Sequence, residues 1–454
     1  MIVIKNGTVI TEREALRIDI AIEHGKIVQM APMIAVDDSI VVIDASDKYV
    51  LPGFIDAHTH FDLGEGDRQS VDDFTSGTKA AISGGTCTII DFATQAKGGT
   101  LKEAFDTWMH KAQDRSSCNY RFHMAITDWN DDIRREMALM PTLGVTSFKM
   151  YMAYDALQSS DQDIYACLRE VKKIGGVLGV HCENGGLIRT LTTEVKAGGR
   201  GDPSGHPLSR PVEVESEAIF RLGCISKLVN YPVMVVHLSS LSGLQIIRHL
   251  RQSGVEILAE TCPQYLFLDD SYYNLPDFDG AKYVISPPLR RESDNEALIQ
   301  AIIQKEIQTI ATDHCSFSFQ KQKMSGKDDF SKIPNGAPGV QNRALLIYHH
   351  LVHSGLISIH DMVDLLATQP AKIYDLYPKK GAIRVGSDAD LVIFDSHKTT
   401  KLSLSEQYSR CDYTLFEDQT LTGRIDTVML NGVIVVDNHA IIQENLGTYA
   451  KKGD

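Results

Sequence analysis

At 454 residues the chain is long enough for one large domain and a smaller one, and its 43% hydrophobic and 23% charged residues are those of an ordinary globular protein with a sizeable core. A formal net charge of −14 argues against nucleic acid or an anionic membrane surface as a partner. The first residues read as a strand and a turn rather than a signal peptide, no apolar run is long enough to span a bilayer, and the eight scattered cysteines, with no Cys-x-x-Cys pair, read as reduced core thiols; a cytoplasmic setting is expected.

In chain order, short strand signals come first, at 2–4, 8–10, 18–22 and 40–43, punctuated by the turns Asn6-Gly7 and His24-Gly25. The same style returns at 390–394 and 427–436, so the two ends are predicted to pair into one small β-sandwich domain, 1–50 plus 380–454. The last four residues, 451–454, read as a short polar tail. Between the ends, from 51 to 379, apolar strands alternate with helical patterns. The run 49–54 reads as a buried strand leading into Ile55-Asp56-Ala57-His58-Thr59-His60. Further strands are expected at 88–92, 122–126, 145–149, 177–181, 233–237, 256–260 and 309–313, with helices such as 161–174 and 213–228 between them. Eight β-then-α units predict an α/β fold, a (β/α)8 barrel of the TIM type.

The polar residues fall at one end of these strands. A strand alternates faces with period two, so His58 and His60 point the same way. The same count puts His181 on a face with Val177 and Gly179, His237 with Val233 and Val235, and Asp313 with Thr309 and Ala311. Barrel active sites lie at the C-terminal ends of the strands. His58, His60, His181, His237 and Asp313 are therefore predicted to converge on one mouth. Any one alone is more often a satisfied core residue or helix cap; five at equivalent places point to metal binding. Lys149 ends its run in the same barrel position. Four histidines and an aspartate can hold two metal ions, and two cations need a bridging anion. A lysine amine that has reacted with CO₂ is such an anion. His314 faces the other way, as a supporting residue, and Cys182 faces the helical shell. Cys262 and Cys315 have no evident base beside them. The roles of Glu183 and Asn184 are open.

These residues sit within longer motifs: 52–60, Gly84-Gly85-Thr86 with 89–92, Phe148-Lys149 with Met152-Ala153-Tyr154, 181–184, 260–266, 286–290, 312–315, 333–340 and 386–392. Taken together, and running nearly end to end, they resemble the cyclic amidohydrolases of the dihydropyrimidinase/hydantoinase group. The resemblance implies that His58, His60 and Asp313 bind the more buried of two divalent metal ions and that His181 and His237 bind the other. It implies that Lys149, as N6-carboxylysine, bridges them along with a hydroxide. Zinc is the default for these ligands. Asp313 would carry a proton to the leaving nitrogen, Tyr154 would donate to the developing oxyanion, and Ser286 and Asn335 would hold the ring's amide groups. A homotetramer, or a dimer, is implied in the same way.

Dihydroorotases typically carry an arginine soon after the His-x-His, whereas the run 61–67 is acidic and apolar; the Glu-Pro-Gly of allantoinases is also missing. Asp72-Asp73-Phe74 with Gly77-Thr78 looks hydantoinase-like. The expected substrate is then a neutral ring imide, a 5,6-dihydropyrimidine or a 5-substituted hydantoin, and the product an N-carbamoyl amino acid. Leu63 and the segment 151–157 are expected to shape the pocket for the exocyclic substituent. Tyr151, Gly64 to Asp67 and Gln341 depart from the usual pattern. The alternatives are an allantoinase, another cyclic-amide hydrolase, or a non-catalytic scaffold relative; retention of all six candidate ligands argues against the last.

Overall fold

Gly53 divides the apolar run 49–54 between two sheets, where the sequence pattern predicts one strand. Tyr49–Pro52 pairs antiparallel with Leu391–Lys401, while Phe54–Thr59 (β1) runs parallel to Thr86–Thr94 (β2) in a second sheet. A Cβ on Gly53 would lie 2.6 Å from Cys87 Cβ and 3.0 Å from Asp390 Cβ, so only glycine lets the chain cross here. Asn119–Ala125 (β3), Ser147–Tyr151 (β4), Val177–His181 (β5), Val233–Val235 (β6), Ile257–Thr261 (β7) and Thr309–Ile310 (β8) continue the second sheet in chain order. The computed structural model describes residues 1–452; Gly453 and Asp454 of the polar tail lie outside the described residues.

The eight parallel strands and the helices between them form the predicted barrel. β8 is too short to pair with β1 along its length. Closure comes instead from His60 N–H, which donates to His314 O at 2.8 Å, and from the buried Arg343 guanidinium, which donates to Ile55 O at 2.8 Å and Ile310 O at 2.9 Å. The outer helices follow from local rules. Asp161–Ile174 starts in a reciprocal Ser160–Asp163 capping box and stops at Gly175 in the left-handed region (φ 73°). It buries Ile164, Cys167, Leu168 and Val171, the stripe that 3.6-residue periodicity places on one face.

Both chain ends share one seven-stranded sheet, in the order Ala440–Ile441, Val433–Asp437, Thr420–Leu430, Leu391–Lys401, Tyr49–Pro52, Thr8–Ile10, Ala15–Arg17. A four-stranded sheet of Lys26–Ala31, Asp19–Glu23, Ile2–Lys5 and Val41–Asp44 accompanies it. Ile4, Val9, Ile20, Val50, Leu391 and Ile393 pack together in this small domain's core. The chain then returns to the barrel: Thr448 O accepts from Tyr120 N at 3.0 Å, and Ala450 N donates to Tyr120 O at 2.8 Å. All eight cysteines are free, and Cys224, unlike the other seven, is exposed rather than a core thiol. Among the described residues no helix is long and apolar enough to cross a membrane.

Candidate active site

The strand ends carry the polar residues as expected, by a route that differs from simple alternation. β6 and β8 stop at Val235 and Ile310, so His237 and Asp313 sit beyond them on turns, both in the left-handed region (φ 41° and 54°). Tyr154 shares that backbone strain (φ 68°), which costs about 1–3 kcal/mol per residue and gathers at functional sites. Lys149 lies in the middle of β4, not at its end. The turn after His60 is pinned by buried Asp91, which accepts from Thr59 Oγ1 at 2.8 Å, Phe61 N at 2.9 Å and Trp108 Nε1 at 3.0 Å.

His58, His60 and Asp313 converge: Asp313 Oδ1 lies 3.2 Å from His58 Nε2 and 3.1 Å from His60 Nε2, and the three donor atoms fall within 4.8 Å of one another. His181 Nδ1 and His237 Nε2 meet at 2.9 Å. The His58 and His237 rings are 5.5 Å apart, which joins the two groups into one cluster. Lys149 is 1% exposed and forms no ion pair among the described residues; its Nζ lies 5.0 Å from the Phe92 ring and 5.2 Å from that of Tyr151.

Burial sets the charge states. It holds the imidazoles of His58 and His237 well below their ordinary range, with Lys149 and neighbouring imidazoles adding to the effect. It lowers His181 as well, against the opposing pull of Glu183. Burial also brings the Lys149 amine down from its ordinary range, against Asp313 and Glu260. Neutral imidazoles and a carboxylate are the donor set of zinc and similar cations. His58 Nε2, which faces the cluster, is buried without a hydrogen-bond partner among the described residues, and two imidazole nitrogens 2.9 Å apart cannot both carry a proton. The residues fit a divalent metal ion.

Supporting groups orient the cluster. His58 Nδ1 is 2.7 Å from Glu260 Oε1, and His181 Nε2 is 2.8 Å from Glu183 Oε2, so each imidazole keeps its other nitrogen for the cluster. Arg210 Nη1 donates to the same Glu183 oxygen at 2.5 Å. Burial opposes ionisation of Glu183, yet Arg210 and His181 outweigh it and hold the carboxyl down to about 2. His314 faces away from the cluster, as predicted. Its Nε2 bonds Asp72 Oδ2 at 3.0 Å, and its Nδ1 accepts from Gly339 N and Val340 N.

Above the cluster opens a cavity of about 1190 Å³, whose lining includes Tyr154, Ser286 and Asn335. Burial pushes the Tyr154 phenol up to about 12, so it stays protonated and able to donate. Asn335 Nδ2 donates to Ser286 Oγ at 2.8 Å. Leu63, Tyr151 and Leu157 line the same space. Sequence reasoning missed Lys323, which is fully buried and donates to Val284 O at 2.9 Å and to Pro334 O at 3.1 Å, tying together the segments that carry Ser286 and Asn335. It also missed Arg68, which follows directly on the acidic and apolar run 61–67 and lines the cavity mouth. In sequence both look like surface cations.

The chain is similar to known proteins over nearly its whole length. A model of the amidohydrolase family matches residues 49–435. The chain is 41% identical to the D-hydantoinase of Geobacillus stearothermophilus over 452 residues, covering 99% of this chain and 96% of that protein. It is 38% identical to the D-hydantoinase of Ralstonia pickettii over 444 residues, 98% of this chain and 96% of that one. The crystal structure of dihydropyrimidinase from Brevibacillus agri matches with a TM-score of 0.97 at 38% identity, over 99% of this chain and 98% of the other.

Proposed function

This chain belongs to the dihydropyrimidinase/D-hydantoinase group of the amidohydrolase family, and we propose that it hydrolyses the cyclic amide bond of 5,6-dihydropyrimidines or 5-substituted hydantoins to N-carbamoyl amino acids. The observation that carries this reading is the convergence of His58, His60, His181, His237, Lys149 and Asp313 on the floor of one cavity whose wall holds Tyr154, Ser286 and Asn335.

In this reading His58, His60 and Asp313 hold one divalent cation and His181 and His237 a second, with zinc the default and Lys149, as N6-carboxylysine, between them. The buried amine's lowered pKa supports that modification, because only a neutral amine attacks CO₂. When bound, such a pair supplies a nucleophile from water at neutral pH and polarises the amide carbonyl. The protein's own groups do the rest. The Asp313 carboxylate takes up the proton released at the attacking oxygen and delivers it to the ring nitrogen, without which the C–N bond has a poor leaving group. The Tyr154 hydroxyl donates to the carbonyl oxygen as negative charge builds there. Ser286 and Asn335, already bonded to each other, present their polar atoms to the ring's amide groups. A cytoplasmic homotetramer or dimer is the expected setting.

Metal-replete protein tests the proposal against dihydrouracil, hydantoin, 5-phenylhydantoin, allantoin and dihydroorotate. Turnover of the first three and not the last two is the expected result. Turnover of none of them, by protein shown to hold metal, would sink the substrate assignment.

A further inference from the structure

Two loops of the cavity rim are stitched together by one side chain. Gln322 Nε2 donates to Asp67 O at 3.0 Å and to Gln69 O at 2.8 Å, and its Oε1 accepts from Ser318 N at 2.7 Å. The stitch brackets Arg68 on one loop and adjoins Lys321 on the other, and both residues line the cavity and are exposed. Neither forms an ion pair among the described residues. Lys332 is a third cation on the same rim, 3.8 Å from Asp329. Apart from Asp313 on the floor, the one carboxylate in the lining is Asp67. Lys332 is balanced by Asp329, and the Asp412 carboxylate behind the second loop is taken up by Ser318 Oγ and the N–H groups of Phe319 and Gln320, so in a chain of net charge −14 the rim lining keeps two unpaired cations, Arg68 and Lys321, against the one carboxylate of Asp67.

Size points the same way. The cavity, at about 1190 Å³, exceeds the roughly 300–1,000 Å³ of ordinary small-molecule pockets, so space remains above the floor for a substituent on the ring.

We infer that the rim is a subsite for the anionic end of a ring substituent. The preferred substrates are neutral ring imides whose exocyclic arm ends in a carboxylate, with the ring amide on the floor and the carboxylate against Arg68 and Lys321. A guanidinium matches a carboxylate with two parallel hydrogen bonds, and the ammonium of Lys321 adds a point charge beside it. This inference rests on the cyclic-amide reading above and narrows its substrate class.

The test compares 5-(2-carboxyethyl)hydantoin with its uncharged amide, 5-(2-carbamoylethyl)hydantoin, on metal-replete wild-type protein and on the double variant Arg68→Gln/Lys321→Gln. Unsubstituted hydantoin is the reference substrate. At low ionic strength the acid should show a kcat/KM about fivefold above the amide, the scale set by two exposed charge pairs. That preference should vanish at about 0.5 M salt, where exposed pairs are screened, and in the double variant, while hydantoin turnover stays unchanged. Equal kcat/KM for acid and amide in the wild type would overturn the inference and leave the cyclic-amide reading standing. So would a preference that survives the double substitution. Failure of metal-loaded wild-type protein to turn over hydantoin itself would bring down both.

Discussion

On the floor of the cavity two of the histidines are gripped from behind and the turn after a third is pinned: Glu260 holds His58, Glu183 with Arg210 holds His181, and Asp91 bonds the backbone after His60. At the rim, Arg68 and Lys321 are exposed on two loops that Gln322 joins near their tips and Ser316 joins at their base. These contacts orient donor atoms of the floor, as metal binding and proton transfer require. The rim is built so that side chains can be exchanged without disturbing that geometry. The difference separates what chemistry the protein does from which ring it does it to. Floor substitutions should therefore change kcat and metal content, and rim substitutions should change only the ranking of substrates.

The largest effect is expected for Asp313→Asn, which removes the proposed proton carrier and weakens one proposed ligand: kcat should fall about 10²–10⁴-fold, read by steady-state kinetics on folded protein. Tyr154→Phe deletes the proposed oxyanion donor, and kcat should drop about 10²–10³-fold with little change in metal content. Glu183→Gln leaves the ligands in place and loosens the support of His181. Metal affinity, followed by competition with a chelator, should weaken about 10–100-fold.

Lys323→Met lies between floor and rim. Loss of its two hydrogen bonds should raise KM about fivefold with kcat nearly kept, the equivalent of about 1 kcal/mol. Its pH signature is independent of catalysis. Burial brings the Lys323 amine from 10.5 to about 7. Below that value the amine is protonated in both the folded and unfolded chain; between about 7 and 10.5 the unfolded chain binds a proton that the folded one lacks, so this group makes stability rise with pH across that window. The wild type should gain stability relative to Lys323→Met between pH 7 and 10 in urea unfolding, and an equal change in both would show that Lys323 is not the buried amine described. The smallest effect is expected for Leu157→Ala at the rim: stability within about 0.5 kcal/mol of wild type, and a shift in the 5-phenylhydantoin to hydantoin ratio alone.

The barrel and the convergence of its candidate ligands were legible in the sequence because strand ends leave a residue-level mark: apolar runs closing on His60, His181, His237 and Asp313. The pairing of the two chain ends was legible for the same reason, in the short apolar runs at either end. What was not legible depends on contacts between distant segments. Arg210 lies 27 residues from the Glu183 that it charges, and Lys323 lies 39 residues from Val284. Nothing local distinguishes a buried lysine from an exposed one. The split at Gly53 escaped because the run 49–54 is apolar on both sides of the crossing. Ala15–Arg17 escaped because three residues are too few to display a period, and Lys26–Ala31 because it exposes Val28 and Gln29 on opposite faces and carries no clean alternation.

Metal analysis of the purified wild-type protein beside Lys149→Ala decides whether the floor is a two-metal centre. About two equivalents of zinc, manganese or cobalt per wild-type chain are expected, with cyclic-amide turnover rising in proportion to loading, and loss of both in the variant. Wild-type turnover in protein free of divalent metal, or unchanged metal content and turnover in Lys149→Ala, would contradict that expectation.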